Sequence, residues 1–298
     1  MSSRTTIAGV TVASKPVRAL KGVILAACCA AVIVPFVGIV STSLSTREQI
    51  TRDGGFVLLP DQVSFAAYQA ILSGGVVTRA TLVSLFITIA GTTLSMATTI
   101  LLAYGLSRPR SVAHRPVLMI VLFALLFTPG IIPSYLVVKN LGLLDTYWAL
   151  ILPVAVNAFN VIILRAFFME LPRELIESAR IDGAGDVAIL FRIILPLSKA
   201  VLAVIGLFYA VAYWNAFFSA LLYLNDTAKW PLQLVLRTYV INQTQIGVDQ
   251  LGAAGVALPP QEAIQMAILV LSIVPILVVY PFVQRHFTKG VLIGAVKG

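Results

Sequence analysis

Six stretches of this chain carry no charged side chain over the length of a bilayer crossing. They are Gly22–Leu44, Ala80–Ser107, Pro116–Val138, Thr146–Leu164, Ala200–Asn225 and Ala263–Gln284. A helix needs roughly 20 mostly apolar residues to cross the hydrocarbon layer. Apolar residues make up 59% of the chain and charged residues 11%. Soluble domains average about 45–50% and about 25%. The expected fold class is therefore an all-α integral membrane protein with six transmembrane helices. The net charge of +9 does not point to nucleic acid, because the basic residues sit in short clusters between apolar runs.

Those clusters also set an orientation. Lysine and arginine accumulate on the cytoplasmic side of short interspan loops. With a cytoplasmic N-terminus, Arg47, Arg52, Arg79, Lys139, Lys229 and Arg237 lie outside. Inside lie Arg4, Lys15, Arg18, Lys21, Arg108, Arg110, Arg115, Arg165, Arg173, Arg180, Arg192, Lys199, Arg285, Lys289 and Lys297. The imbalance exceeds two to one, so both termini are expected in the cytoplasm. The organisation that follows is a cytoplasmic tail over 1–21, a first transmembrane helix over 22–45 and an extracytoplasmic loop over 46–77. A five-helix core over 78–284 and a cytoplasmic tail over 285–298 complete it. The outer loop is expected to be extended, with a short surface helix near Phe65–Leu72. Leu232, Val235, Leu236, Tyr239 and Val240 recur at helical spacing and predict an amphipathic helix, packed on its own bundle by default, with the membrane interface or an extracytoplasmic partner protein as the alternatives.

Between the fourth and fifth runs lies a polar island, Glu170–Ser198. Glu170, Arg173, Glu174, Glu177, Arg180, Asp182, Asp186 and Arg192 fall here, flanked by Arg165 and Lys199. Each charge at mid-bilayer costs roughly 2.5–3.5 kcal/mol, so the island belongs in water or at the membrane surface. Pro172 suits a first helical turn, Glu174 and Glu177 suit the positive end of a helix dipole, and Gly183 suits a helix stop. A helix from Pro172 to Asp182 would be about 16 Å long, too short to cross a membrane.

The island also carries a pattern. Glu177-Ser178-Ala179, three residues, Gly183, nine residues, then Ile193-x-Leu195-Pro196 resembles the EAA signature of ATP-binding-cassette (ABC) importer permeases, with Ser178 where that signature has alanine. Asp182-Gly183-Ala184 also fits. Pro172-Arg173-Glu174-Leu175, Arg192–Ser198 and the ending Lys289-Gly290 … Gly294–Gly298 look like the carbohydrate-uptake permeases related to the smaller maltose-importer permease. Trp214–Phe218 and Trp230–Arg237 are similar to a subgroup moving larger or acidic oligosaccharides.

The resemblance implies a type I importer permease fold in a bacterial cell membrane, with a coupling helix at 170–185. In that family Glu177, Ser178, Ala179, Asp182, Gly183 and Ala184 would dock on an ATPase subunit. The tail residues Gly294, Ala295, Val296, Lys297 and Gly298 would reach the ATPase pair. The implied partners are a second homologous permease in a heterodimer, two ATPase subunits and an extracytoplasmic solute-binding protein. ATP and Mg would be held by the ATPase subunits, with no cofactor on this chain.

A solute path is read from the residues themselves. Asn157 and Asn160 lie three apart in the fourth run, on one helix face. Tyr213, Trp214 and Asn215 lie in the fifth. Aromatic faces stack on sugar rings and amides bond hydroxyls. The alternatives are interhelical hydrogen bonds for the asparagines and an interfacial position for Trp214. Pro129, Pro133, Pro153, Pro275 and Pro281 interrupt or bound the runs.

Other functions lack their parts. There is no phosphate-binding loop with Gly-Lys-Ser/Thr and no H-E-x-x-H, and the histidines are His114 and His286. Cys28 and Cys29 are adjacent within an apolar run, which indicates neither a disulfide framework nor a zinc site. Leu25-Ala26-Ala27-Cys28 resembles a lipoprotein cleavage box, but the apolar run continues well beyond it. Two alternatives remain: a permease for a non-sugar solute, and a non-transporting membrane scaffold.

Overall fold

The computed structural model describes residues 6–7, 10–11, 15–73, 75–108, 111–242 and 259–295. Apart from a two-residue antiparallel pairing of Thr6–Ile7 with Val10–Thr11, every regular element described is helical. The chain divides into two compact units, Met1–Ser73 with Ile246–Val270, and Gly74–Gln245 with Leu271–Gly298.

The smaller unit opens with α1 (Lys15–Ser43). Lys15–Lys21, expected in a tail, are its first turns. From Pro16 to Phe36 its side chains are exposed all round, Val23, Leu25 and Val32 among them. A surface so apolar suits lipid rather than water. Ser41, Thr42, Ser43 and Ser45 at its end are buried. The loop that follows is folded rather than extended. It holds α2 (Arg47–Arg52) and α3 (Ala66–Leu72). Buried Gln49 organises it, donating to Leu59 C=O at 2.8 Å and accepting from Asp61 N–H at 2.9 Å. Thr42 Oγ1 accepts from Val57 N–H at 2.8 Å. Phe56 lays its ring on α1 at Gly38, where an added Cβ would fall 1.9 Å from Cζ.

The larger unit is built on α4 (Val76–Leu106), which packs chiefly on α8 (Ala158–Glu170) and α12 (Lys199–Trp214). Ile87, Ala103, Leu150, Ile151, Leu164, Ile205 and Ile189 form the core between them. Arg165 on α8 donates to Leu106 C=O at 2.8 Å, pairing a free carbonyl at the end of α4.

Three apolar runs are interrupted. The third divides into α5 (His114–Leu126) and α6 (Ile131–Asn140), because Thr128-Pro129-Gly130 cannot continue a helix. The fourth divides into α7 (Trp148–Ile151), a 3-10 turn at Leu152–Val154 containing Pro153, and α8, with a 49° bend. The fifth ends α12 at Trp214 and restarts as α13 (Phe217–Tyr223). The island forms α9 (Arg173–Ile181), α10 (Asp186–Ile189), a π turn at Leu190–Ile194 and α11 (Leu195–Leu197). Asp186–Leu197 meets α12 at 86°.

The amphipathic helix is α14 (Leu232–Leu236), continued by a π turn at Arg237–Ile241. Its Leu232 N–H donates to Ser84 Oγ of α4 at 2.8 Å, so it packs on its own bundle. The last helix, α15 (Gln261–Ala295), runs past Gln284 into the expected tail. Among the described residues three helices are long and apolar enough to cross a membrane, or up to five if each bent pair is one span.

Candidate functional site

The island folds as its residues suggest. Pro172 precedes α9, Glu174 lies in its first turn and Arg180 in its last. Gly183 has φ +82°. Its N–H donates to Arg180 C=O at 3.0 Å and Ala184 N–H donates to Ala179 C=O at 2.8 Å. These two bonds are the Schellman closure, which needs a left-handed residue and so favours glycine. A Cβ at Gly183 would meet nothing within 4 Å, so this chain demands glycine there for conformation, not for space.

No residue of α9 is buried. Glu177, Ser178, Asp182 and Gly183 are exposed. Ala179 and Ala184 instead turn inward and pack against the core of the larger unit. Ile181 is 86% exposed and Val187 71%, so apolar groups stand beside the charges.

Two residues outside the motif hold this segment. Tyr104 Oη donates to Asp186 C=O at 2.9 Å, and the Arg108 guanidinium lies over the Tyr104 ring at 4.2 Å. Arg108 also pairs with the Asp186 carboxylate and donates to Tyr104 Oη. Arg180 reaches Asp186 at 3.6 Å. Sequence reasoning missed this role of Tyr104 and Arg108; the basic turn after α4 was the available signal.

The five solute-path residues separate. Asn157, Asn160 and Tyr213 line one cavity of about 490 Å³ together with Phe159, Phe208 and Tyr209. No charged side chain lines it. Trp214 is buried elsewhere: it lines an apolar cavity of about 390 Å³ and donates from Nε1 to Ser272 C=O at 2.8 Å. Asn215 is exposed and accepts from Gln233 Nε2 at 3.3 Å. Asn157 has a local duty as well, because its Oδ1 accepts from Asn160 N–H at 3.1 Å and caps α8.

A second charged cluster braces two loops. Asp145, at φ +58°, accepts from Asn225 and Asp226 N–H at 3.1 and 3.0 Å. Lys229 Nζ donates to its carboxylate at 3.1 Å and to its carbonyl at 2.8 Å. The Asp226 N–H, Lys229 and the Asn225 N–H hold the Asp145 carboxyl below its ordinary value, against a smaller opposing effect of burial. The Asp145 carboxylate in turn raises Lys229.

Of the tail residues, Gly294 and Ala295 end α15, and Val296, Lys297 and Gly298 lie outside the described residues. Among the described residues there is no group of three or more His, Cys, Asp or Glu placed to hold a metal.

Residues 91–293 match the family described as binding-protein-dependent transport system inner membrane component. The chain belongs to that family. This transport component is 48% identical over 266 residues to the polygalacturonan/rhamnogalacturonan transport system permease protein YtcP of Bacillus subtilis strain 168, covering 89% of this chain and 93% of the relative. It is 48% identical over 268 residues to Protein LplC of the same organism, covering 89% and 90%. A chain from the crystal structure of a bacterial ABC transporter involved in import of the acidic polysaccharide alginate superposes with a TM-score of 0.83 at 32% identity. That match covers 93% of this chain and all of the other. The inner-membrane component of such a system is a permease, and its matched region contains α9, the cavity and the Asp186 clasp.

Proposed function

We propose that this permease is one of two homologous membrane subunits of an ABC importer that takes up carbohydrate, specifically an acidic oligosaccharide. The chain crosses the membrane six times, through α1, α4, α5 with α6, α7 with α8, α12 with α13, and α15. Both termini and α9 are cytoplasmic, in keeping with the lysine and arginine asymmetry. In this reading the first transmembrane helix, the extracytoplasmic loop and the five-helix core are assigned to about 22–45, 46–77 and 78–284, with α1 and α15 extending beyond those limits into the cytoplasm.

In this reading α9 docks on an ATPase subunit through Glu177, Ser178, Asp182 and Gly183, with Ala179 and Ala184 setting its height above the bundle. The observation that carries it is α9, which buries no residue and presents Glu177 and Ser178 to solvent, closed by Gly183 and clasped to α4 through Asp186. A short helix so held can tilt the bundle when a motor closes on it. Gly294–Gly298 would reach the ATPase pair. The uncharged cavity offers rings and amides to sugar, and its Asn157, Asn160 and Tyr213 would contact solute. Trp214 and Asn215, facing elsewhere, would act indirectly. The cargo class is supported by the named cargo of the relatives. ATP and Mg bind the ATPase subunits, and a solute-binding protein delivers cargo from outside.

The test is reconstitution with the second permease, the ATPase subunits and the binding protein. Oligogalacturonate should stimulate ATP hydrolysis and accumulate in the vesicles. A complex that assembles but shows neither would contradict the reading.

A further inference from the structure

In a bilayer, a broken helix must find partners for the main-chain groups it frees. The break between Val154 and Ala158 finds them on α4 and α12. Ile151 C=O accepts from Tyr213 Oη at 3.2 Å. Thr98 Oγ1 lies 3.2 Å from Ala155 C=O and shares its one proton between that carbonyl and those of Leu94 and Ser95 on its own helix, each at 3.0 Å. Asn157 N–H donates to Tyr209 Oη at 3.1 Å.

Both tyrosines are themselves held. Tyr213 Oη lies 2.8 Å from Ser95 Oγ, and Tyr209 Oη lies 2.7 Å from Thr99 Oγ1. Tyr213 gives its one proton to Ile151, so Ser95 must donate to Tyr213. Ser95 and Thr99 are one turn apart on α4; Tyr213 and Tyr209 are one turn apart on α12. All four are buried, Ser95 and Thr99 completely. The Tyr213 ring rests on Gly91, where a Cβ would come within 2.7 Å, so α4 and α12 cannot slide without moving the ring.

A continuous helix would satisfy its own backbone. Here buried hydroxyls from two neighbouring helices hold a break open, and that break lies one rigid helix away from α9. The arm between them, α8, has 13 residues and spans about 20 Å. At its far end it reaches α9 through Leu171 and Pro172. At its near end Asn157 and Asn160 line the uncharged cavity.

We infer that Tyr209 and Tyr213, with Ser95, Thr98 and Thr99, are positioning residues that pin a pivot at Val154–Asn157. Displacement of α9 then swings α8 about this point and reshapes the cavity, instead of dragging the whole Trp148–Glu170 span. The inference rests on the coupling reading above and names where its motion is converted.

The test uses the complete importer, with partner permease, ATPase subunits and binding protein, and oligogalacturonate as solute. The readout is solute imported per ATP hydrolysed. Thr98→Val and Thr99→Val keep shape and remove one hydroxyl each; Thr98→Ser and Thr99→Ser restore it. Gel filtration checks that each complex assembles. Both valine variants should hydrolyse ATP at near wild-type rates yet import about fivefold less per ATP, the order that loss of a buried hydrogen bond produces. The serine variants should recover the wild-type ratio. Wild-type ratios in both valine variants would overturn the inference, as would uptake and hydrolysis falling in proportion. A wild-type complex with no solute-stimulated hydrolysis would overturn the coupling reading and the pivot with it.

Discussion

The Arg108 guanidinium pairs with the Asp186 carboxylate, joining the end of α4 to the start of α10, just beyond α9. The Asp186 side chain is 67% exposed, so the charge contribution is screened and worth at most about 1 kcal/mol. The firmer tie is the Tyr104 Oη donated to Asp186 C=O, because Tyr104 is buried. Asp186→Asn should therefore leave uptake close to wild type, with a modest salt dependence removed. Tyr104→Phe should lower uptake more, with thermal stability reduced by about 1 kcal/mol. Uptake assays on the two variants side by side check the order.

Gly183 separates conformation from fit. A non-glycine residue at φ +82° costs roughly 1–2 kcal/mol, less for asparagine. If the backbone requirement dominates, Gly183→Asn should retain most uptake and Gly183→Val should lose it. Equal loss in both would mean that the partner surface rejects any side chain there.

The Asp145–Lys229 brace has a defined pH window. Asp145 is depressed in the folded protein, so its contribution is complete above its ordinary value of 3.8 and disappears as pH falls through the lower folded value. Lys229 is raised, so its contribution is complete below 10.5 and disappears as pH rises through the higher folded value. Trp148 lines a cavity of about 320 Å³ together with Asp145 and Lys229, and so reports on the brace. Its fluorescence should stay constant across neutral pH and change only at acid pH below 3.8 and alkaline pH above 10.5. In Asp145→Ala the acid change should vanish and the alkaline change should shrink, because Lys229 keeps Asp226 at 3.7 Å.

How much of this is legible in the sequence depends on what fixes each feature. The ends of α9 are set by local groups, Pro172 and Gly183, and can be read directly. The break at Val154–Asn157 is held by Tyr209, Tyr213 and Thr98 from other helices, and lipid asks for apolar residues whether a span is whole or broken. Pro153 and the capping Asn157 were its local traces. Tyr213 and Trp214 were grouped as one site, yet neighbours on a helix point about 100° apart, so one faces the cavity and the other Ser272. The loop around Gln49 reads as extended because its order comes from contacts distant in sequence, through Gln49, Thr42 and Phe56, that local spacing does not show.

Cargo charge can be tested at Asn157. Asn157→Asp keeps the acceptor that caps α8 while placing a negative charge in the uncharged cavity. Uptake of oligogalacturonate should fall about tenfold, the order of a like-charge contact of ~1.4 kcal/mol at intermediate dielectric. Asn157→Gln should fall less. Equal uptake in wild type and Asn157→Asp would place the solute elsewhere.

The most direct measurement is contact at α9. Ser178 is exposed, and Cys28 and Cys29 are the chain's cysteines, so Ser178→Cys with Cys28→Ala and Cys29→Ala gives a single attachment point. A maleimide photo-crosslinker there, in the assembled importer, should capture an ATPase subunit, and should resist labelling by membrane-impermeant reagents added outside intact cells. Capture of no ATPase, or ready labelling from outside, would contradict the account.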